Sequence, residues 1–356
     1  MVKFQLSSGD LLYKYRLLKP ISDDGCFGDV WLANDNAINK PLAIKIIDTS
    51  RTSIDEKLLE AQIGNRMDHD NLVRVHAADV VTIDGKNAVV IAMDYLEDGS
   101  ICSKANAGNF VDIPIATKAV TDILRGLEFL HDAGFYHNDI KPRNILLGPR
   151  GEAVLTDYGI SEATKNGQAI KPKFFYFPHK APETFDHNLI DRRTDIYQVG
   201  ITLFRLVNGI NLVSDTVTSY TEDHCRSLIK DGNLLDAAGW QPFVPNSLKR
   251  VIKKATDCDI SKRYNSALEM RRALEGLLFP GGWTCLPTGE LLGCCRGYNY
   301  RFEIISAKKH RFVAYKTNLK SGRETKISAF SEMRLTKSSL ENVKKRFMKA
   351  VVEGKA

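Results

Sequence analysis

Phe135-Tyr136-His137-Asn138-Asp139-Ile140-Lys141-Pro142-Arg143-Asn144-Ile145-Leu146-Leu147, near the middle of a 356-residue chain, brings a carboxylate, a cation and a primary amide close together at positions 139, 141 and 144. Asp139 can serve as a general base, Lys141 as a counter-charge and Asn144 as a neutral oxygen donor to a metal ion. Taken alone, the same run also describes a polar surface turn, so its neighbours have to decide. Just beyond it, the short apolar runs Ile145–Leu147 and Ala153–Thr156 flank Gly148-Pro149-Arg150-Gly151 and predict a hairpin. Just before it, Val120, Ile123, Leu124, Leu127 and Leu130 recur at helical spacing and predict a helix over Ile115–Gly134. A second helix is expected over Arg193–Gly209, with others to about Leu278.

Farther toward the N-terminus the period changes. Leu11–Pro20, Gly28–Ala33, Pro41–Asp48, Leu72–Val81 and Asn87–Met93 read as strands, with Asp84-Gly85 a turn between the last two. Ile54, Leu58, Leu59, Ile63 and Met67 predict a single amphipathic helix among them, opposite Asp55, Glu56 and Arg66. The expected fold class is α+β, with a small β-rich lobe over residues 1–95 and a larger helical lobe over residues 96–279. Pro280-Gly281-Gly282 reads as a breaker. After it, residues 280–356 predict a small basic β-β-β-α module: strands Tyr298–Ser306, His310–Lys316 and Glu324–Phe330, then a helix Ser338–Glu353 opened by a capping box of Ser338 and Glu341.

The chain is 43% hydrophobic, enough to bury a large core with room for a further module. No apolar run reaches membrane-span length and the first residues lack the features of a secretory signal, so no membrane partner is expected and the expected location is cytoplasmic. Seven cysteines without a C-x-x-C pair read as free thiols. Cys285, Cys294 and Cys295 could be imagined as metal ligands, but adjacent strand residues point to opposite faces, which favours buried thiols. Charge is uneven: residues 281–356 hold 16 Lys+Arg against 6 Glu and no Asp, net +10, while the remainder holds 34 basic against 37 acidic residues, net −3. A basic tail of this kind could face nucleic acid or an acidic protein, and it could equally be a solvated surface. Tyr298, Tyr300, Phe302 and Phe312 among its lysines and arginines would be either a base-stacking surface or the core of the small sheet.

Phosphoryl transfer requires a protein to hold polyphosphate and metal, to orient a hydroxyl and to accept its proton. The central stretch suits those tasks, and further motifs accompany it in order. Leu42-Ala43-Ile44-Lys45 is followed by Glu60 on the helix before His69-Asp70-Asn71-Leu72-Val73, then by Asp157-Tyr158-Gly159 and Ala181-Pro182-Glu183, with Asp195 and Arg263 beyond. Any one of these charges could be an ordinary solvated side chain; their order and spacing together are specific. Over residues 10–279 the chain resembles the eukaryotic-like Ser/Thr protein kinase family, with HND where many members have HRD.

The resemblance implies a two-lobed protein-kinase-like fold, ATP and Mg²⁺ as cofactors, and proteins carrying Ser or Thr as substrates. It implies Asp139, Lys141, Lys45 and Glu60 as catalytic residues, Lys45 being held by Glu60 on the α- and β-phosphates. Asn144 and Asp157 would bind the metal. Gly25 and Gly28 would approach the phosphates, Val30, Ala43 and Leu146 would sandwich the adenine, Asp94 and Leu96 would bond its edge through backbone groups, and Met93 would guard the rear. His137 is structural under this reading.

Some residues depart from the family pattern. Asn138 replaces an Arg that reads activation-segment phosphate, which implies activity without that switch at Ser161 or Thr164. Asp23 replaces the first glycine of the nucleotide loop. Gly64 leaves little bulk to pack against Tyr158. Tyr176 stands where Ser/Thr members carry Thr, and His179 replaces a common Tyr. The competing expectation is a pseudokinase or regulatory scaffold whose basic C-terminal domain binds a partner.

Overall fold

The computed structural model describes residues 4–22, 29–50, 53–157, 168–171, 176–306 and 309–356, and within these leaves the side chains of Ser22, Glu56 and Glu60 undescribed. The first lobe is built on an antiparallel sheet of β1 (Leu11–Leu12), β2 (Tyr15–Ser22), β3 (Asp29–Asp35), β4 (Lys40–Asp48), β5 (Val75–Ile83) and β6 (Lys86–Asp94), in the spatial order β1-β2-β3-β4-β6-β5. Asp84 and Gly85 join β5 to β6 with φ of 50° and 75°, the left-handed pair a tight hairpin turn needs.

Alternation along β4 sends Ile44 and Ile46 into a cluster with Tyr15, Leu17, Trp31 and Val90 on one face. Ile47 goes to the opposite face, where it meets Val89, Ile91 and Ala61 of helix α1 (Ile54–Arg66). Lys45 shares parity with Ile47, so the same alternation aims it at the α1 side. The expected stripe on α1 is partly corrected. Ile54, Leu58 and Ala61 make its contact with the sheet, whereas Leu59 is 56% exposed.

The second lobe contains α2 (Ile113–Asp132), the hairpin β7 (Ile145–Leu147) and β8 (Ala153–Leu155), then α3 (Arg192–Asn208), α4 (Leu212–Thr218), α5 (Glu222–Lys230), α6 (Leu234–Ala238), α7 (Asn246–Ala255) and α8 (Ala267–Glu275). Helix α2 begins two residues earlier than its apolar period indicates, because Pro114 occupies the first turn, where its missing N–H costs nothing. Helix α3 is capped by Asp191, whose carboxylate accepts the Arg193 N–H while its own N–H donates to the Thr194 hydroxyl, and is buried from Thr194 to Asn208. Among the described residues no single helix is long and apolar enough to cross a membrane.

Among the described residues, the C-terminal region has twice the expected number of strands. β9 (Gly281–Cys285), β10 (Leu291–Cys295), β11 (Tyr298–Ile305), β12 (His310–Asn318) and β13 (Glu324–Lys326) form one sheet, β14 (Glu332–Leu335) also pairs with β12, and α9 (Lys337–Val352) packs on it. Gly281-Gly282 opens β9 and does not break the chain. Its glycines answer to close approach, since a Cβ on Gly281 would meet the Val351 carbonyl and one on Gly282 would meet the Asp112 carboxylate. The third expected strand stops at Lys326 and gives way to a single 3-10 turn, Ser328–Phe330. Thr336, not Ser338, caps α9, its hydroxyl accepting from the Ser339 N–H at 3.2 Å.

Trp283, Tyr300, Phe312 and Phe347 pack together, and their cluster is continuous with the core of the helical lobe. Of the adjacent cysteines, Cys295 is buried but Cys294 is exposed, correcting the expectation that both are buried.

Candidate active site

Asp195, fully buried on α3, organises the central stretch. Its carboxylate accepts the backbone N–H groups of His137 at 2.9 Å and Asn138 at 2.7 Å, and lies 2.8 Å from His131 Nε2. One turn along, Gln198 accepts the Ile140 N–H at 3.0 Å and donates to the Asn138 carbonyl at 3.1 Å. Asn138 itself holds φ at 56°, a left-handed backbone that Asn tolerates better than most residues, and its side-chain oxygen accepts from Gln198 at 3.2 Å. His137 accepts the Asp139 N–H at Nδ1 and donates from Nε2 to the Thr156 carbonyl at 3.0 Å. Burial pushes its pKa down, so the ring is a neutral spacer between residues 139 and 156.

Asp139 is 4% exposed. Lys141 Nζ donates to its two carboxylate oxygens at 3.0 and 2.8 Å, and Asn144 Nδ2 donates to its carbonyl and its Oδ2, both at 2.8 Å. Those bonds from the amide nitrogen leave Asn144 Oδ1 as the end available to a cation. The Thr156 N–H donates to the Asn144 carbonyl at 3.0 Å, which brings Asp157 alongside. From the other lobe, Lys45 Nζ reaches Asp157 Oδ1 at 2.9 Å. Burial alone would raise the Asp157 pKa; the charge and hydrogen bond of Lys45, with Lys141 beyond it, override that and hold it below the usual carboxylate value. Asp157 also has a left-handed φ of 61°, the sort of strain that accompanies a functional constraint.

An amide oxygen and a carboxylate are hard donors that suit a phosphate-bound divalent cation. Among the described residues no group of three or more His, Cys, Asp or Glu could hold a metal, so a cation here would complete its shell with ligands from elsewhere.

Of the expected base-binding residues, Val30, Ala43, Met93 and Asp94 fall on neighbouring strands of the first lobe and Leu146 on the hairpin of the second. Val30 pairs with Lys45 across β3 and β4, Ala43 pairs with Met93 across β4 and β6, and Leu146 on β7 is bridged to Ser100. Asp94 gives its N–H to the Arg74 carbonyl at 3.0 Å and the Leu96 carbonyl accepts from Gly99 at 3.1 Å. Gly25, Gly28, Tyr158, Gly159, Ser161 and Thr164 lie outside the described residues, and Glu60 is placed on α1 only by its backbone.

Glu183 and Arg263 form a two-pronged pair at 3.0 and 2.7 Å, supported by the Thr194 hydroxyl at 2.9 Å from Glu183. His179 is buried beside them in sequence. Its Nδ1 bonds the Ile140 carbonyl and its Nε2 meets Arg205, both at 2.7 Å, while burial and then the Arg205 charge hold its pKa well below the ordinary value.

Gln198, Thr202 and Arg205 were not among the expected site residues. Their signal is the spacing Asp195, Gln198, Thr202, Arg205, a polar stripe of helical period inside a buried helix. On the tail, Tyr300 and Phe312 are buried around Phe347 and Phe302 packs on them, so these three belong to the core, while Tyr298 is half-buried beside Lys316.

A protein kinase domain model matches residues 21–274. The serine/threonine-protein kinase PrkC of Bacillus subtilis is 28% identical over 267 residues, covering 72% of this chain and 39% of the relative. A probable serine/threonine-protein kinase PknB of Lactococcus lactis is 26% identical over 265 residues, 72% of this chain and 41% of the relative. CBL-interacting protein kinase 5 of rice is 25% identical over 278 residues, 76% of this chain and 52% of the relative. The matched stretch thus spans between two-fifths and about half of these relatives' lengths.

Proposed function

The chain belongs to the protein kinase domain family, and on that premise we propose that it transfers the terminal phosphoryl group of ATP to serine and threonine hydroxyls of proteins. The observation that carries the reading is the run of contacts from Lys45 through Asp157 to the Asn144–Asp139–Lys141 group, closed by the Thr156–Asn144 backbone bond at 3.0 Å. Mg²⁺, held by Asn144 Oδ1 and the Asp157 carboxylate, would offset charge between phosphate oxygens. Lys45 anchors the non-transferred phosphates. Asp139, fixed in orientation by the Asn144 amide, accepts the proton of the incoming hydroxyl, and Lys141 balances charge beside it.

The reaction proceeds without an activation-segment phosphate, on this reading, because Asn138 carries no charge and its side chain is bonded to Gln198. The test is transfer of labelled phosphate from ATP to a Ser/Thr peptide library or to the chain itself. Asp139→Asn should lose on the order of 10²–10⁴-fold in kcat, while the Ser161→Ala/Thr164→Ala double variant should keep most of its activity. Equal rates for the native chain and Asp139→Asn would end the reading.

A further inference from the structure

Among the described residues, Lys141 Nζ bonds one carboxylate and faces one ring. Two donations go to Asp139, and its Nζ lies 5.0 Å from the centroid of Tyr176, within cation–π range. Tyr176 is itself braced. Arg205 lies 6.0 Å from the same ring, the His179 ring packs against it at 5.3 Å, and its hydroxyl is 3.4 Å from Ser214 Oγ. Arg205 is buried and bonds the Ile210 carbonyl and His179 Nε2, while His179 bonds the carbonyl of Ile140, between Asp139 and Lys141. A closed circuit therefore runs from residue 140 through His179, Arg205 and Tyr176 to Lys141.

We propose that Tyr176 is a positioning residue for Lys141, its ring face holding the ammonium at Asp139 without presenting it a competing acceptor oxygen. A lysine head on four rotatable bonds is otherwise mobile, and a ring narrows its range without bonding to it directionally. The inference rests on the phosphoryl-transfer reading above.

The experiment is a double-mutant cycle on the full chain, paired with NMR of ε-¹³C-labelled lysine. Tyr176→Leu should lower kcat by roughly five- to thirtyfold, the range a partly desolvated cation–π contact supplies, and leave the KM for ATP unchanged. Tyr176→Phe should restore kcat to within about twofold, because the ring face carries most of the interaction. In a Lys141→Ala background Tyr176→Leu should cost nothing further, whereas a purely structural role for the ring would cost the same in both backgrounds. The Lys141 methylene signals should show a ring-current shift in the native chain and in Tyr176→Phe, and lose it in Tyr176→Leu. Additive losses, or no shift, would overturn the positioning role alone. A native chain with the shift but without turnover on any acceptor would overturn the phosphoryl-transfer reading and this role with it.

Discussion

At position 138 the residue between His137 and Asp139 has two tasks: it adopts φ of 56° and it bonds Gln198. Replacing it by Ala puts in left-handed backbone a residue that tolerates it less well than Asn, and leaves Gln198 a partner short. We expect Asn138→Ala to lose about 1–3 kcal/mol of stability and Asn138→Gly, which removes the strain, to lose less, as read from denaturant midpoints. Equal losses would show that the side-chain bond dominates. The grouping at this scale was legible because motif residues sit close in sequence: 139, 141 and 144 are brought together by a local loop. The contact of Lys45 with Asp157, 112 positions apart, could be inferred only through the family resemblance. Of the contacts that hold the loop from α3, those of Gln198, Thr202 and Arg205 carry no sequence signal of their own, since each looks like an ordinary helix residue.

At the level of elements, the hairpin of β7 and β8 and the helices α2 and α3 follow from turn residues and apolar period. Helix α1 is the weaker case. Its apolar residues are spread around the helix, so the period did not pick out the face that docks, and Leu59 points to solvent. The junction of α7 with α9 was invisible in sequence, yet it has a measurable electrostatic consequence. Lys249 of α7 lies over the Trp240 ring at 4.7 Å, and Lys349 of α9 bonds Asn246 at 2.7 Å. Burial, with Lys349, Lys345 and Lys253 nearby, pushes the Lys249 pKa down to about 8 from 10.5. Below pH 8 both folded and unfolded chains hold the proton and the penalty is fully present. Between about 8 and 10.5 the folded form releases it first, so this group makes stability rise with pH. Lys249→Met should be more stable than the native chain at pH 7, with the difference shrinking toward pH 10 in a series of thermal melts. A difference independent of pH would refute the assignment.

For the whole molecule, the decisive feature is that residues 280–356 share a core with the helical lobe. Trp283 is buried, donates to the Met348 carbonyl at 2.9 Å and packs on Phe347. Trp283→Ala should therefore cost about 3–5 kcal/mol and lower the unfolding of the helical lobe along with it, in one calorimetric transition; two separated transitions would contradict the shared core. At the seam, Gly282→Ala should destabilise the chain by driving a methyl into the Asp112 carboxylate, and Asp112→Ala should relieve part of that loss. The sequence showed that a sheet and a closing helix follow residue 280, because β11 and β12 alternate and α9 has an apolar stripe. It did not show β9 and β10, whose glycines and cysteines carry little strand signal, nor the docking that makes Gly281 and Gly282 necessary.

The central claim, that Asp139 beside Asn144, Asp157 and Lys45 directs phosphoryl transfer, is tested most directly by the single-turnover rate from labelled ATP to a Ser/Thr acceptor for the native chain and Asp139→Asn. The account expects measurable transfer by the native chain and a loss of at least about 10²-fold in the variant. Transfer at the same rate in both, or none from the native chain with any acceptor, would contradict it.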